Sequence, residues 1–431
     1  MAGLLGSLNT ASSSLRANQI VIQTVNHNIS NMNTPGYTRQ RAELTTNVAY
    51  TRPGLTSSYV GAGQIGQGVS VSTITRIRNS FYDYQYRTES HSYGNAAIKA
   101  EHYSNIESIF NEPSNTSISA TLNDFFNGFT ELATNPNSSY AKKHLVEKTT
   151  ALTNTINQTV QRLDTLKDNL KVQENGIITD VNNILKQLTT LEKEIRVAEA
   201  TGKNPNDLLD QKDALIDELS FCVNINDKDV QAALEDGTFT PDEATALNTS
   251  GELQAVKDMQ DVIDSVIGEM EVFMNTFATK VNDIYTQAQS PQNARPLFVV
   301  GRDADGLPTL NMRQNFIDDP TSINMTSDLA LELADFKSVK ININGESVTI
   351  GGFFNNIIQD IGYKTQEAAR NEENRRALLY NIENSKANVS GVSLDEEMIS
   401  LMQFQHAYNA TAKVASTIDS LLDVVINGII K

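Results

Sequence analysis

The chain has 431 residues, and its 52 acidic against 34 basic side chains give a formal net charge of −18. This balance argues against nucleic acid as a partner, because phosphate binding needs a basic face. The single cysteine, Cys222, excludes an intramolecular disulfide and a multi-cysteine metal site.

A chain of this length is expected to form two or three domains. It contains no apolar run of about eighteen residues that could span a membrane. It also lacks the basic segment followed by a short apolar segment that marks a secretory signal peptide. We therefore expect no membrane partner and, by general secretory rules alone, a cytosolic protein.

The first thirty residues or so carry the apolar period of a helix that buries one stripe against other helices. The stripe recurs at alternating steps of four and three: Leu4, Leu8, Ala11, Leu15, Asn18, Ile22, Val25, Ile29 and Met32. The asparagine-rich segment that follows predicts a turn. Asn tolerates the left-handed conformation, and Pro35 disfavours a helical conformation at Thr34. We expect the chain's exit from the helix to be set by Asn28, Asn31, Asn33, Pro35 and Gly36.

The other end of the chain repeats this organisation. Ser393 and Glu396 have the spacing of a capping box that begins a final helix. Its apolar positions are Met398, Leu401, Tyr408, Ala412 and Ala415, and after a three-residue step Ile418, Leu422, Val425 and Ile429.

The charges at the two ends are opposite. Residues 1–42 have three arginines and no acid, whereas residues 391–431 have five acids and two lysines. We predict that this difference favours pairing of the end helices, within one subunit or between neighbours, although single surface pairs are weak.

Between the ends the pattern is mainly helical. Val69 to Ile74 alternate as a strand, and the preceding GxGxxG at residues 61–66 is interpreted as a glycine-rich loop and not as a phosphate cradle. Residues 140–201 form a helix of about 60 residues, roughly 90 Å long, with a possible kink at Gly176. Asn204 and Pro205 begin the next helix, and residues 256–284 form a second long one.

The later part of the chain has three further features. Residues 221–250 interrupt the helical pattern, with a candidate strand at Val223 to Ile225 and a capping box at Thr240 to Glu243. Residues 297–300 form a candidate strand, and Asn344-Gly345 joins two alternating segments into a hairpin. Residues 353–389 return to helix.

No catalytic constellation is visible. The five histidines do not form a zinc pairing, although a contact between His27 and His406 is conceivable. Asp303 to Gly306 and Asn224 to Asp229 lack the spacing of a calcium loop and are interpreted as polar turns. Cys222 is expected to be a buried small apolar residue, and we predict no enzyme activity, cofactor or metal.

Two segments at opposite ends carry a family resemblance. Residues 26–40, NHNISNMNTPGYTRQ, and residues 393–431, SLDEEMISLMQFQHAYNATAKVASTIDSLLDVVINGIIK, resemble the terminal signatures of bacterial flagellar axial proteins, which are the rod, hook and hook-associated proteins. The NTPGYTRQ form and the helical middle favour the hook-associated protein 1 family, the hook–filament junction proteins. The matched ends cover under a fifth of the chain.

The resemblance implies a structural subunit of the flagellum that is required for filament assembly. It also implies export through the flagellar type III channel to the hook–filament junction. The implied partners are further copies of the chain, the hook protein, a second junction protein and an export chaperone at the C-terminal helix. Two alternatives stay open: a hook or distal-rod subunit, which is expected to have a β-rich middle, and a non-flagellar coiled-coil adaptor or an enzyme with a grafted activity.

The expected fold is mainly α. The terminal helices pair as an inner coiled-coil-like domain (1–40 with 391–431), and a long helical bundle with a few β-hairpins lies outside it (41–220 with 251–390). The outer β domain is expected to be reduced or absent, with residues 221–250 as a small insertion or a remnant of that domain. We predict that the ends are largely disordered in the free subunit and order on assembly, and that subunits pack through Leu8, Leu15, Ile22, Val25, Ile29, Leu401, Tyr408, Ile418, Leu422 and Val425.

Overall fold

Helices dominate the chain in a computed structural model that describes residues 2–48, 66–226, 230, 251–287 and 295–427. Within these ranges the α-helices are α1 (Ala2–Asn31), α2 (Ser80–Phe110), α3 (Ile118–Thr134), α4 (Ser139–Ala200), α5 (Asn206–Cys222), α6 (Glu252–Thr286), α7 (Gln314–Asp318), α8 (Ser327–Asp335), α9 (Ile350–Ser390) and α10 (Leu394–Asn427). The predicted mainly α fold is confirmed. None of the helices in these ranges combines the length and hydropathy needed to cross a bilayer.

The β structure of the described residues is limited to three antiparallel hairpins. They pair β1 (Gln40–Thr46) with β2 (Val69–Arg76), β3 (Phe298–Arg302) with β4 (Pro308–Met312), and β5 (Ile341–Ile343) with β6 (Glu346–Val348). Asn344 and Gly345 have φ angles of 52° and 91°, as a two-residue hairpin turn requires. The predicted Asn-Gly hairpin is therefore confirmed, whereas β4 was not predicted.

The predicted long helix is one element of 62 residues, α4. The Ser138 hydroxyl accepts a hydrogen bond from the backbone N–H of Ala141 and caps the helix. Gly176 lies inside this helix without interrupting it. The stripe that includes Leu163, Leu170 and Val181 is buried, so the apolar period of α4 is internal core.

The core of the bundle is centred on Phe125 of α3. Its ring centroid lies 5.0 Å from that of Phe129, 5.3 Å from that of Phe277 in α6, and 5.8 Å from that of Phe298 in β3. Edge-to-face and tilted ring pairs at these distances are favourable. This cluster therefore joins a short helix, a long helix and a hairpin into one core.

Two antiparallel helix pairs connect the bundle to the chain ends. Along α2 and α9, Tyr103 contacts Thr365 and Glu89 pairs with Arg375, so one residue number rises as the other falls. The last turn of α1 meets the first turn of α10 through Asn28 and Glu397, and the two helices pack along their lengths. Only the three residues 391–393 separate α9 from α10.

Some local predictions are corrected. Asn204 does not cap α5; its amide donates to Thr73 and to the carbonyl of Ile74, and Pro205 occupies the cap position without a side-chain bond. Val223 to Ile225 do not form a strand, because the backbone turns after α5. Five segments lie outside the described residues: the glycines at 61–65, the second calcium-like segment from 227 to 229, the capping box at 240–243, most of the insertion at 221–250, and residues 428–431.

Candidate assembly site: the terminal helix pair and its elbow

The elbow, residues 27–41, carries the chain from α1 into β1 and is organised around the amide of Asn28. Asn28 is 1% exposed. Its Nδ2 donates to the Gln40 carbonyl at 2.9 Å and to Glu397 Oε2 at 3.1 Å. Its Oδ1 accepts from the Tyr37 hydroxyl at 2.8 Å and from the Gln40 N–H at 3.0 Å. All four hydrogen-bonding positions of this amide are therefore used.

Glu397, in the first turn of α10, is the contact from the far end of the chain. It is 2% exposed, and its Oε1 lies 2.7 Å from Arg39 Nε. Arg39 Nη1 also pairs with the exposed Glu396 at 2.8 Å, and the Arg39 N–H donates to the Ser390 carbonyl. The predicted attraction between the oppositely charged ends is thus made within one subunit, through one base and two of the five acids. Glu396, predicted as a capping residue, bonds Arg39.

The elbow is fixed to α5 on its other side. The Thr38 N–H donates to Asp210 Oδ2 at 3.0 Å, and Gln40 Nε2 donates to Asp207 Oδ1 at 2.9 Å. Asn206 Nδ2 donates to Gln40 Oε1 at 3.1 Å and to the Ile74 carbonyl at 2.9 Å. These hydrogen bonds therefore join the start of α5, the first hairpin and the elbow in one polar network.

The other turn residues have lesser roles. Asn31 Nδ2 donates to the His27 carbonyl, and Gly36 has a φ of 76°, which favours glycine. Asn33 and Pro35 are exposed. His27 Nδ1 lies 3.0 Å from the Tyr37 hydroxyl and His27 Nε2 lies 3.8 Å from Asp207 Oδ2, so His27 contacts the elbow and α5 and not the suggested His406. Burial, followed by the charges of Asp207, Asp210 and Glu397, raises the pKa of the Tyr37 phenol, which stays protonated.

A ring of ion pairs, which the sequence analysis missed, continues from the elbow into the bundle. Three cations alternate with three carboxylates around the ring: Arg78, Arg87 and Lys386 with Asp83, Asp213 and Asp217. Arg76 of β2 joins the ring at Asp213 and extends it to Asp210. The ring groups belong to α2, α5 and α9, except for Arg78, which lies just before α2. The distances run from 2.5 Å for Lys386 to Asp217 to 3.5 Å for Lys386 to Asp83.

Asp213 pairs with three arginines, more partners than any other group of this network has. Burial alone would raise its pKa, but Arg78, with hydrogen bonds from Arg76 and Arg87, outweighs burial and lowers the pKa. The carboxylate therefore stays charged at neutral pH. The signal that could have revealed the ring is the acidic stripe of α5, where Asp207, Asp210, Asp213 and Asp217 recur at helical spacing.

An open cleft of about 970 Å³ lies between the elbow, α4, α5 and α9, and Cys222 is among its lining residues. Burial, followed by the charges of Glu252 and Asp180, raises the pKa of the Cys222 thiol to about 12. The thiol is therefore protonated and unreactive, as expected for a small apolar residue. Burial and Asp180 likewise raise the pKa of Glu252 to about 7.

The raised pKa of Glu252 predicts a pH-dependent stability. Between pH 4.5 and 7 the folded chain holds a proton on Glu252 that the unfolded chain has released, so the free energy of unfolding falls as the pH rises through this window. We expect Glu252→Gln to be more stable than the wild type at pH 8 by about 1–2 kcal/mol, a range reduced for the partial exposure of the group. Denaturant unfolding from pH 5 to 8 measures the difference. The control Glu107→Gln, at an exposed site on α2, should leave the profile unchanged; equal profiles for all three proteins would contradict the prediction.

The predicted packing residues lie on the partly buried sides of the two end helices. Val25 and Ile418 are buried within the subunit, Tyr408 is just exposed, and the others are half-buried: Leu8, Leu15, Ile22, Ile29, Leu401, Leu422 and Val425. On α10 these positions share the side that packs against α1, because they follow Ile418 at helical spacing. Their contact with other subunits stays a prediction, as do the domain limits.

The opposite side of α10 carries a second apolar stripe, which the sequence analysis did not separate from the first. We call it the outer face; it consists of Ile399, Met402, Val414, Leu421 and Val424. Ile399 is 61% exposed and Val424 is 63% exposed. The exposed side of α1, in contrast, is largely uncharged and polar, with Arg16 as its one charge in the described part of the helix. The two faces of the helix pair therefore differ in chemistry. In the described ranges no group of three or more potential ligands could hold a metal ion.

Comparisons with known proteins agree with this architecture. Three family models match in order along the chain: the flagella basal body rod protein at residues 8–38, the helical domain of flagellar hook-associated protein FlgK at 103–240, and the C-terminal part of the flagellar basal body rod FlgEFG proteins at 386–428. The first match contains the elbow as far as residue 38, the last contains the outer face, and the middle one contains α3, α4 and α5.

Similar proteins extend the match to the whole chain. Flagellar hook-associated protein 1 of Bacillus subtilis is 29% identical over 99% of both chains. The protein of the same name from Salmonella typhimurium is 31% identical over 53% of this chain and 39% of its own length. A solved structure, the flagellar hook junction protein FlgK from Burkholderia pseudomallei, matches 71% of this chain and 100% of its own with a TM-score of 0.57 at 11% identity, which supports the fold alone. The chain belongs to the hook-associated protein 1 family of the bacterial flagellum.

Proposed function

We infer that this protein is a structural subunit of the bacterial flagellum that joins the hook to the filament and is required for filament assembly. The observation that carries this function is the outer face of α10. Five large apolar side chains exposed on one side of a single helix are more than the scattered apolar residues usual on a soluble monomer, and such a surface indicates an interaction site. A subunit of a larger assembly covers it with neighbouring subunits.

The two faces of the helix pair support a repeating contact. One side is apolar with acids at both ends, and the other is polar and lacks acids in α1. Unlike faces suit heterologous packing, in which one surface of a subunit meets a different surface of the next and the assembly continues as a ring or helix. The predicted packing residues, from Leu8 to Val425, then hold α1 and α10 together beneath this contact.

The partners follow from the same surface. We propose that the subunit contacts further copies of itself, the hook protein on one side and a second junction protein on the other. Before assembly the apolar outer face is exposed to water and prone to unwanted association. We therefore propose that an export chaperone binds α10 in the cytoplasm. Export through the flagellar type III channel would then bring the chain to the growing tip. No catalytic role is proposed.

The alternative within the same class, a hook or distal-rod subunit, has less support. Its expected β-rich middle does not agree with the three small hairpins of the described residues or with the match of residues 103–240 to a helical domain. A non-flagellar adaptor does not account for the matches at both ends of the chain.

Deletion of the gene tests the function. We expect cells that carry hooks without filaments and that release flagellin into the medium, because the filament has no subunit on which to begin. Electron microscopy of the cells and a flagellin blot of the supernatant measure this.

The full-length gene supplied on a plasmid is the control and should restore filaments. Deletion cells that build normal filaments would contradict the junction function. Cells that lack hooks as well as filaments would favour the rod or hook alternative.

A further inference from the structure

We propose that Glu397 is the positioning residue through which docking of α10 orders the elbow, so that both chain ends and the start of α5 form one cooperative unit. This deepens the assembly function above and assigns a role to a residue that the sequence patterns did not single out. Glu397 lies 369 positions from Asn28 along the chain, and their side chains are 3.1 Å apart.

The first step of the argument is the burial of this carboxylate. A charged group at 2% exposure is costly unless it is paired and hydrogen-bonded. Glu397 meets that requirement only at the elbow, through Arg39 Nε and Asn28 Nδ2. The first turn of α10 can therefore occupy its buried position only when the elbow is formed.

The converse also holds, because the elbow needs Glu397. Without α10, Arg39 loses both carboxylates that it contacts, and Asn28 loses one acceptor of its amide. Water replaces these contacts when α10 leaves, so the elbow loses the bonds through which Glu397 fixes Asn28 and Arg39 in one geometry. The elbow conformation is therefore less stable when α10 is absent, although the elbow residues themselves are unchanged.

The third step connects the elbow to the bundle. The same short segment that holds Glu397 donates from Thr38 to Asp210 and from Gln40 to Asp207. Loss of elbow order therefore releases the start of α5. In this way the docking of the C-terminal helix is transmitted to the helical bundle.

The neighbouring Glu396 provides a matched control. It also pairs with Arg39, at 2.8 Å, but its side chain is 62% exposed, so water can replace this contact at little cost. The two carboxylates share a cation, a helix turn and a charge, and they differ in burial.

Hydrogen–deuterium exchange of the purified full-length monomer tests the proposal. In the structure α1 and α10 are ordered and paired within one chain, in contrast to the disorder that the sequence predicted for the ends of the free subunit. The backbone N–H groups of Thr38, Arg39 and Gln40 are all hydrogen-bonded and report elbow opening directly. We expect Glu397→Gln to accelerate their exchange, and that of the first turns of α5, by roughly ten- to a hundred-fold, as loss of a hydrogen-bonded charge implies. Glu396→Gln should change it by less than about three-fold.

A reciprocal exchange of groups separates positioning from general loss of stability. Asn28→Asp places a second carboxylate against Glu397 and should open the elbow. Adding Glu397→Gln to it restores an amide–carboxylate pair with donor and acceptor reversed. We expect the double variant to exchange more slowly at the elbow than Asn28→Asp alone, and protection in α3 and α4 to stay at the wild-type level in all variants.

Two results would overturn the proposal: equal elbow exchange in Glu397→Gln and Glu396→Gln, or a double variant that exchanges as fast as or faster than Asn28→Asp. Because these measurements use the isolated monomer, they stand apart from the filament test. Together the two experiments distinguish a flagellar junction protein whose elbow does not depend on Glu397 from a non-flagellar protein whose elbow does.

Discussion

Cells whose only copy of this protein carries both Ile399→Glu and Val424→Glu should build hooks without filaments and should not swim. Both side chains are more than 60% exposed on the outer face of α10, so the substitutions leave the contact with α1 untouched. In an assembled junction they would place two unpaired carboxylates in an apolar contact, which is strongly unfavourable. Electron microscopy and a swimming assay of complemented deletion cells measure the effect.

A matched control lies on another helix. Val172 of α4 is 72% exposed, and Val172→Glu should swim normally if the outer face of α10 is the specific surface. The purified double variant should keep its free energy of unfolding within about 0.5 kcal/mol per substitution, as is usual at exposed sites. Normal filaments on the double variant would show that the outer face does not carry the function.

Phe125→Ala should reduce the free energy of unfolding by about 3–5 kcal/mol, the usual cost of truncating a fully buried aromatic residue. Phe125 is completely buried and contacts rings of α3, α6 and β3, so its removal leaves a cavity where three elements meet. Denaturant unfolding followed by circular dichroism measures the change.

Phe81→Ala is the matched control for this truncation. Phe81 is 60% exposed at the start of α2, so its loss should cost less than about 1 kcal/mol. Similar losses for the two variants would mean that the ring cluster around Phe125 is not the centre of the core.

The helical architecture was predictable because it depends on local patterns. The stripe along α4 and the hydroxyl of Ser138 specify its course and its start within a few residues of the chain. The turn at Asn344 and Gly345 is also a local signal, since it requires two left-handed residues in succession. The partner of β3 was missed although Pro308, Leu310 and Met312 alternate with polar residues, because β4 has only five residues and begins at a proline, which favours a loop interpretation.

The assembly site was predicted only in part, because its chemistry joins distant segments. The 3.5-residue period located the stripe that joins α1 to α10, but the same period does not tell an intrachain contact from one between subunits. The structure separates the outer face from this stripe, because Ile418 is buried on the side of α10 that packs against α1. Asn28 was identified as a turn residue, yet it follows Val21 and Val25 at helical spacing, and a polar residue in a buried stripe indicates a satisfied internal hydrogen bond.

The ring of ion pairs has a mechanical consequence. An apolar helix contact can slip by a fraction of an ångström at small cost, because dispersion attraction has no preferred direction. Arginine–carboxylate bonds have preferred planes and lengths, so α2 and α5 resist shear until several of these bonds break together, and Lys386 ties α9 to both helices. The helical bundle therefore gains a stiffness at this ring that apolar contacts alone would not provide.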